Sequence, residues 1–143
     1  MDFANRNAVI TGGASGIGRS LAAAMARRGI GSVALVDVSD AAEDVASKLN
    51  DEAGRAFAIP FKGDTTDATF RSSVFDAINS RFGPVSMCVP AAGITRDDLS
   101  IRIDKNTGKA RIYPAELFRL VVEVNLIAPA YWALEMIARI AED

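Results

Sequence analysis

The chain of 143 residues contains no histidine, a single cysteine and 7% aromatic residues, and its 16 basic and 18 acidic side chains nearly cancel to a net charge of −2. Each shortage removes a class of function. Without histidine there is no imidazole acid-base catalysis, no Ser-His-Asp triad and no Cys/His metal site within the chain. The one cysteine, Cys88, lies in an apolar stretch, where burial as a small hydrophobe is expected rather than chemistry. A slightly acidic balance argues against a nucleic-acid-binding surface, which usually shows as a basic patch. No apolar run reaches about 18 residues without a charge, so no membrane span is expected. The opening Met1-Asp2-Phe3-Ala4-Asn5-Arg6 lacks the charged start, apolar run and cleavage site of a signal peptide, and a cytoplasmic protein is the expectation.

What is present has a globular balance, with half of the residues hydrophobic and 24% charged. By length, residues 1–143 form one domain, able to bury about 68–70% of the surface that the unfolded chain exposes. The organising stretch is Val9-Ile10-Thr11-Gly12-Gly13-Ala14-Ser15-Gly16-Ile17-Gly18. Ala8 to Ile10 predicts a buried strand, and the glycines turn the chain into an amphipathic helix beginning near Ile17. Such a strand-turn-helix suits a phosphate. Glycine permits the tight turn, the approach of backbone to a pyrophosphate and close helix-strand packing. The free N–H groups and positive dipole end of the helix then face the anion. A second strand, Ser32 to Val36, ends in Asp37 about twenty residues past the glycines, where a ribose-binding carboxylate is expected. A cap of the following turn is the alternative role for Asp37.

In the first helix Ile17, Leu21, Ala24, Met25 and Arg28 share a face, with Gly29 as the stop. Ser39 caps a second helix in which Ala42, Val45, Ala46 and Leu49 keep the i, i+3, i+4, i+7 spacing. Ala56 to Pro60 reads as a third strand. Asp67 caps a third helix carrying Phe70, Val74, Ile78 and Phe82, and Gly83-Pro84 ends it before a fourth strand, Val85 to Val89. Three alternations of strand and helix call for right-handed crossovers and a doubly wound parallel α/β sheet of order 3-2-1-4, truncated after its fourth strand and following helix.

Between Thr95 and Tyr113 the pattern changes. Ile101, Ile103, Ala110 and Ile112 alternate with polar residues around Asp104-Lys105-Asn106-Thr107-Gly108-Lys109, which predicts a hairpin inserted over about 97–112. A lid, a subunit contact and a solvated excursion are all open roles for it. Pro114 then starts a long helix through Trp132 to Ile140. That helix is apolar over much of its circumference, needs cover on more than one side, and should kink at Pro129.

The spacing Thr11-Gly12-x-x-x-Gly16-x-Gly18, with Gly63-Asp64, Ala91-Ala92-Gly93-Ile94 and Val124-Asn125-Leu126 in the same order, resembles the short-chain dehydrogenase/reductase family over nearly the whole chain. The resemblance implies a Rossmann-like fold and an oxidoreductase transferring hydride between nicotinamide and a small carbonyl or alcohol substrate. It implies cofactor contacts at Gly12, Ser15, Gly16, Ile17 and Gly18, at Asp37 and Val38, at Asp64 and Thr65 beside the adenine, and at Ala91, Ala92 and Gly93 along the nicotinamide side. A carboxylate at position 37 would repel the extra phosphate of NADP, so the expected cofactor is NAD. Asn125 matches the family's helix asparagine, a member of the catalytic set through a water held on its carbonyl. The helix over 114–141 would pair with its twin in a homodimer or homotetramer. An ordinary loop role stays open for Asp64, and a locally satisfied one for Asn125.

There are departures from the family. Pro90 and Ala91 stand where two asparagines are common, and proline removes both a backbone donor and a side-chain amide. The loop Ala92 to Leu99 looks like that of 3-oxoacyl-carrier-protein reductases, whose usual preference for NADP conflicts with Asp37. The family's serine and Tyr-x-x-x-Lys do not occur here: Leu117 and Glu135 stand four residues after Tyr113 and Tyr131. The expectation is an NAD-dependent enzyme represented by its amino-terminal half, inactive by itself. A non-catalytic nucleotide-binding or assembly module, and a fragment that binds nothing, are the competing readings.

Overall fold

The computed structural model describes residues 3–142. Strands β1 (Asn7–Thr11), β2 (Ser32–Asp37), β3 (Ala58–Lys62) and β4 (Val85–Pro90) form a parallel sheet in the order β3-β2-β1-β4. Its central strands are apolar on both faces, as a sheet covered on both sides requires. Ala8, Ile10, Val33 and Leu35 point to one layer, where they meet Ala22 and Met25 of α1 (Gly16–Ala26) and Val45, Ala46 and Leu49 of α2 (Ala41–Ala53). Val9, Ala34 and Val36 point to the other, against Val74, Phe75 and Ile78 of α3 (Ala68–Phe82) and against Trp132. The period-two alternation of the strands thus feeds two cores, one on each face.

Several local expectations shift. β3 begins at Ala58 instead of Ala56 and runs to Lys62, because Ala58 to Lys62 is the stretch in register with Val33 to Asp37. Pro60 sits within β3, which is an edge strand where a missing donor costs no ladder bond. The buried face of α1 is Gly18, Ala22 and Met25, while Ile17 stands exposed and Arg28 falls outside the helix. In α3 the fully buried aromatic ring is Phe75, and Phe70 and Phe82 are half-buried at the margin of that core. Asp67 caps α3 as expected, accepting from the N–H groups of Thr69 and Phe70 at 2.8 and 3.1 Å.

The hairpin forms from β5 (Ile101–Ile103) and β6 (Ala110–Ile112), antiparallel and exposed along both strands. Pro114 is the residue before α4 (Ala115–Val122), not its first residue, with an extended ψ of 126°. The expected kink at Pro129 is taken up one turn earlier as a π-helical turn over Glu123–Ile127, after which α5 (Ala128–Glu142) continues. Pro129 has no N–H for the carbonyl one α-turn back, and the helix widens so that Ala128 N–H reaches the Glu123 carbonyl, five residues back.

Cover on more than one side of this helix is not provided by the chain itself. Among its described residues only Ala128 and Trp132 are buried, and Phe118, Leu126, Leu134 and Ile137 stay more than half exposed. Ala115–Glu142, with 28 residues, is also long and apolar enough to cross a membrane, with a mean hydropathy of 1.4 over an 18-residue window. That differs from the sequence expectation, which demanded a run free of charge. Here the helix packs as a layer of the fold. Trp132 lies wholly buried beside Phe70 and Phe75, with ring centroids 6.5 and 5.7 Å away. Arg139 reaches Asp76 and Ser72 of α3 at 2.6 and 2.9 Å; burial lowers its guanidinium, but the hydrogen bonds and charges of Asp76 and Glu135 outweigh that and hold it above its ordinary value.

Candidate functional site

The carboxyl ends of β1, β2 and β4 frame a cavity of about 580 Å³, at the point where the sheet order reverses on either side of β1. The glycine turn shapes its rim. Gly12 has φ +68°, and a Cβ there would stand 2.8 Å from the backbone N of Ala92, so glycine lets the loop after β4 close on the loop after β1. A Cβ on Gly18 would meet the Gly12 carbonyl oxygen at 2.3 Å, which fixes how tightly α1 seats on the turn. A Cβ on Gly16, at φ +47°, would project into open space within 4 Å. Ser15, the residue before α1, makes no side-chain capping bond, and no acidic residue occupies the first turn. Among the described residues, no carboxylate accepts from the first-turn N–H groups.

Asp37 sits at the carboxyl end of β2, half-buried on the cavity wall. One carboxylate oxygen accepts from Ala14 N–H and the other from Ser39 N–H, both at 3.0 Å. The cap of the following turn weighed for it from sequence is thus formed, and it coexists with a place on the cavity. Each oxygen keeps a second lone pair. Asp64 accepts from Thr66 N–H and hydroxyl at 2.9 and 2.8 Å, the local turn bonding of a loop aspartate, and also lines the cavity. Thr65 beside it is buried, and its carbonyl accepts from Trp132 Nε1 at 2.9 Å. Ala91 N–H and Ala92 N–H donate to the Thr11 carbonyl and hydroxyl, so the loop after Pro90 is bound to β1 although proline itself offers no donor.

All twelve residues that the resemblance marks for cofactor contact line this one cavity. Two of them, Ile17 and Val38, are 80% and 65% exposed, large apolar surfaces left uncovered at its edge. Asn125 is not among its lining. It lies on the π-helical turn, and its side-chain amide accepts from Ile94 N–H and donates to the Ile94 carbonyl, both at 2.8 Å, which ties the helix to the loop after β4. This satisfies the polar group across 31 residues of sequence instead of locally. Ile94, Arg96, Leu120 and Val124 also line the cavity; Ile94 and Val124 stand in the motifs that carry the resemblance, but none of the four was expected at the cofactor. The i, i+4 pair Leu120 and Val124 was a readable signal for one helix face. Cys88 is half-buried in β4, and burial pushes its thiol up to about 11, so it stays protonated near neutral pH.

The short chain dehydrogenase family profile matches residues 6–142. The chain belongs to that family. Among curated relatives, it is 34% identical over 130 residues to the cis-4-hydroxycyclohexanecarboxylate dehydrogenase of Sinomonas cyclohexanicum, covering 90% of this chain and 47% of that protein. It is 32% identical over 103 residues to the 3-oxoacyl-(acyl-carrier-protein) reductase of Escherichia coli, covering 72% and 40%. A short-chain dehydrogenase structure from Novosphingobium aromaticivorans superposes with a TM-score of 0.81 at 24% identity, over 99% of this chain and 47% of that one, which shows the shared fold. A short-chain dehydrogenase/reductase from Mycobacterium marinum gives 0.75 at 25% identity, over 94% and 50%. The chain spans about half the length of the relatives it matches. Members of the short-chain dehydrogenase family are oxidoreductases that generally use NAD(P), act on small molecules and are commonly oligomeric.

Proposed function

We propose that residues 1–143 are the NAD-binding domain of an oxidoreductase that interconverts a small alcohol and its carbonyl. The observation that carries this reading is Asp37, aimed at the cavity from the end of β2 and held there by Ala14 and Ser39 N–H groups. The cavity fits the cofactor. Gly16 leaves open space where a side chain would stand, no carboxylate lies in the first turn of α1, and the Ser15 hydroxyl is uncommitted to a cap.

In this reading the first-turn N–H groups of α1 and the Ser15 hydroxyl hold the pyrophosphate. Asp37 accepts from both hydroxyls of the adenosine ribose, and Val38, Asp64 and Thr65 border the adenine. Ala91, Ala92 and Gly93 are small enough to admit the nicotinamide side. NAD, when bound, supplies the hydride acceptor for the alcohol. Asn125 braces the loop at Ile94 with its side chain, and in this reading its backbone carbonyl, one α-turn before Pro129 with its missing N–H, holds a water. The uncovered apolar face of α4 and α5 pairs two copies in a homodimer or homotetramer, and the protein acts in the cytoplasm.

Trp132 is the only tryptophan, and it touches the Thr65 carbonyl at the cavity wall. NADH should therefore quench its emission and show sensitised emission of its own, with NADPH at least tenfold weaker. No quenching together with a flat calorimetric titration would refute nucleotide binding. Binding without turnover of any alcohol or ketone by the purified protein would assign a non-catalytic module instead.

A further inference from the structure

We infer that Arg96 selects substrates carrying a carboxylate on a compact apolar body, and this rests on the dinucleotide reading of the main cavity. Arg96 follows the loop bound by Asn125, and it lines both the main cavity and a second one of about 360 Å³, which is bordered by the residues flanking the hairpin, Ser100 and Tyr113, and by Phe118 and Val121 of α4. Arg96 therefore borders both spaces. Its neighbours in the main cavity at this end, Ile94, Leu120 and Val124, are apolar. A cation at the border of an apolar wall is the pairing that recognises an organic acid.

The surrounding charges leave Arg96 available. Among the described residues no carboxylate lies within ion-pair distance of it, and its one hydrogen bond, 2.7 Å, goes to the adjacent Thr95 carbonyl. Asp98, two residues on, is engaged by Arg102 and Arg111 of the hairpin and by Leu99 N–H, which hold it below the usual carboxylate range. Asp97 and Asp98 both line the second cavity, while the carboxylates of the main cavity, Asp37 and Asp64, are those that the dinucleotide reading assigns to the adenosine end. The Tyr113 hydroxyl donates to the Arg96 carbonyl and fixes the backbone from which the guanidinium extends. The substrate class is a hydroxy or oxo carboxylic acid whose hydrocarbon part is short or cyclic.

The test uses the purified protein with saturating NAD and two non-reacting probes of equal shape, cyclohexanecarboxylate and neutral cyclohexanecarboxamide, with Kd read by saturation-transfer NMR and calorimetry. The carboxylate should bind at least tenfold tighter. Arg96→Gln should abolish that gap while leaving the amide Kd and the NAD Kd unchanged, and Arg96→Lys should restore part of it. Equal affinities for the two probes, or a gap that survives Arg96→Gln, would overturn the assignment. A fall in NAD affinity in Arg96→Gln matching the fall for the carboxylate would also overturn it, by placing the guanidinium on the cofactor. Failure of the wild-type protein to bind NAD at all would instead sink the dinucleotide reading itself.

Discussion

Replacing Asp37 by alanine separates the two duties of this carboxylate. In the folded chain it accepts Ala14 N–H across the glycine turn and Ser39 N–H at the start of the next segment, both at 3.0 Å. Hydrogen bonds to a charged group contribute about 1.5–3 kcal/mol each when dry, and less at a half-buried site, so the variant should lose about 1–3 kcal/mol of stability. Loss of the ribose contacts should take a further ~1–3 kcal/mol from NADH binding, about 5- to 150-fold in Kd. A merely loosened turn would weaken NADH and NADPH alike, because both rest the same pyrophosphate on α1. NADPH also escapes a like charge when Asp37 is removed. The ratio of the two affinities is therefore the readout, measured by titrating each nucleotide against Trp132 emission alongside thermal unfolding. A variant that loses stability and keeps the wild-type ratio would refute the ribose role and leave Asp37 a brace of the turn.

Glycine substitutions should divide in the same manner. Gly18→Ala forces a Cβ to 2.3 Å from the Gly12 carbonyl, and about 3 kcal/mol of stability should be lost along with nucleotide binding. Gly16→Ala meets no atom and bears only the strain of φ +47°, about 1–2 kcal/mol, yet it should abolish NADH binding; retained binding would place the pyrophosphate elsewhere. The hairpin should be sensitive to acid. Asp98 is held below the usual carboxylate range by Leu99 N–H and then Arg102, and Asp104 by the N–H groups of Thr107 and Asn106. Folded values below the unfolded ones mean that this support is complete above about pH 4 and is lost as pH falls through the depressed values. Cross-strand NMR contacts between Ile101 and Ile112 should therefore persist at about pH 5 and fade toward about pH 2 ahead of the β1 amides. Contacts unchanged at the acid end would show that neither carboxylate holds the hairpin.

The parallel sheet was legible because its signals are local. Alternating apolar runs, a glycine turn and caps such as Asp67 need no knowledge of distant contacts. The cavity lining was legible for the same reason, since loops at the carboxyl ends of β1, β2 and β4 must converge once the strand order is known. What escaped depends on pairing at a distance. The true span of β3 is set by its register against β2, the buried side of α1 by which glycine seats on the turn, and Phe75 by the position of Trp132. Arg96 escaped because a cavity that joins a loop to a helix some 25 residues later leaves no periodic trace, and the i, i+4 pair Leu120 and Val124 marked a helix face without marking what it borders. The sharing of Asp37 between a turn and a cavity wall was likewise visible only once Ala14 lay opposite it.

The widened turn at Glu123–Ile127 has a consequence for how the last helix is phased. An i+5 closure carries one residue more than an α-turn, so the side chains beyond it are offset by about 100° from those before it. Leu120 before the widened turn and Val124 at its start line the cavity; beyond it, Ala128 and Trp132 belong to the core on the sheet. Removing a single residue from this stretch would leave the hydrophobic composition intact yet swing the indole away from Phe70 and Phe75. The two halves would then compete to aim at one target, and either the cavity wall or the far core would go without its helix.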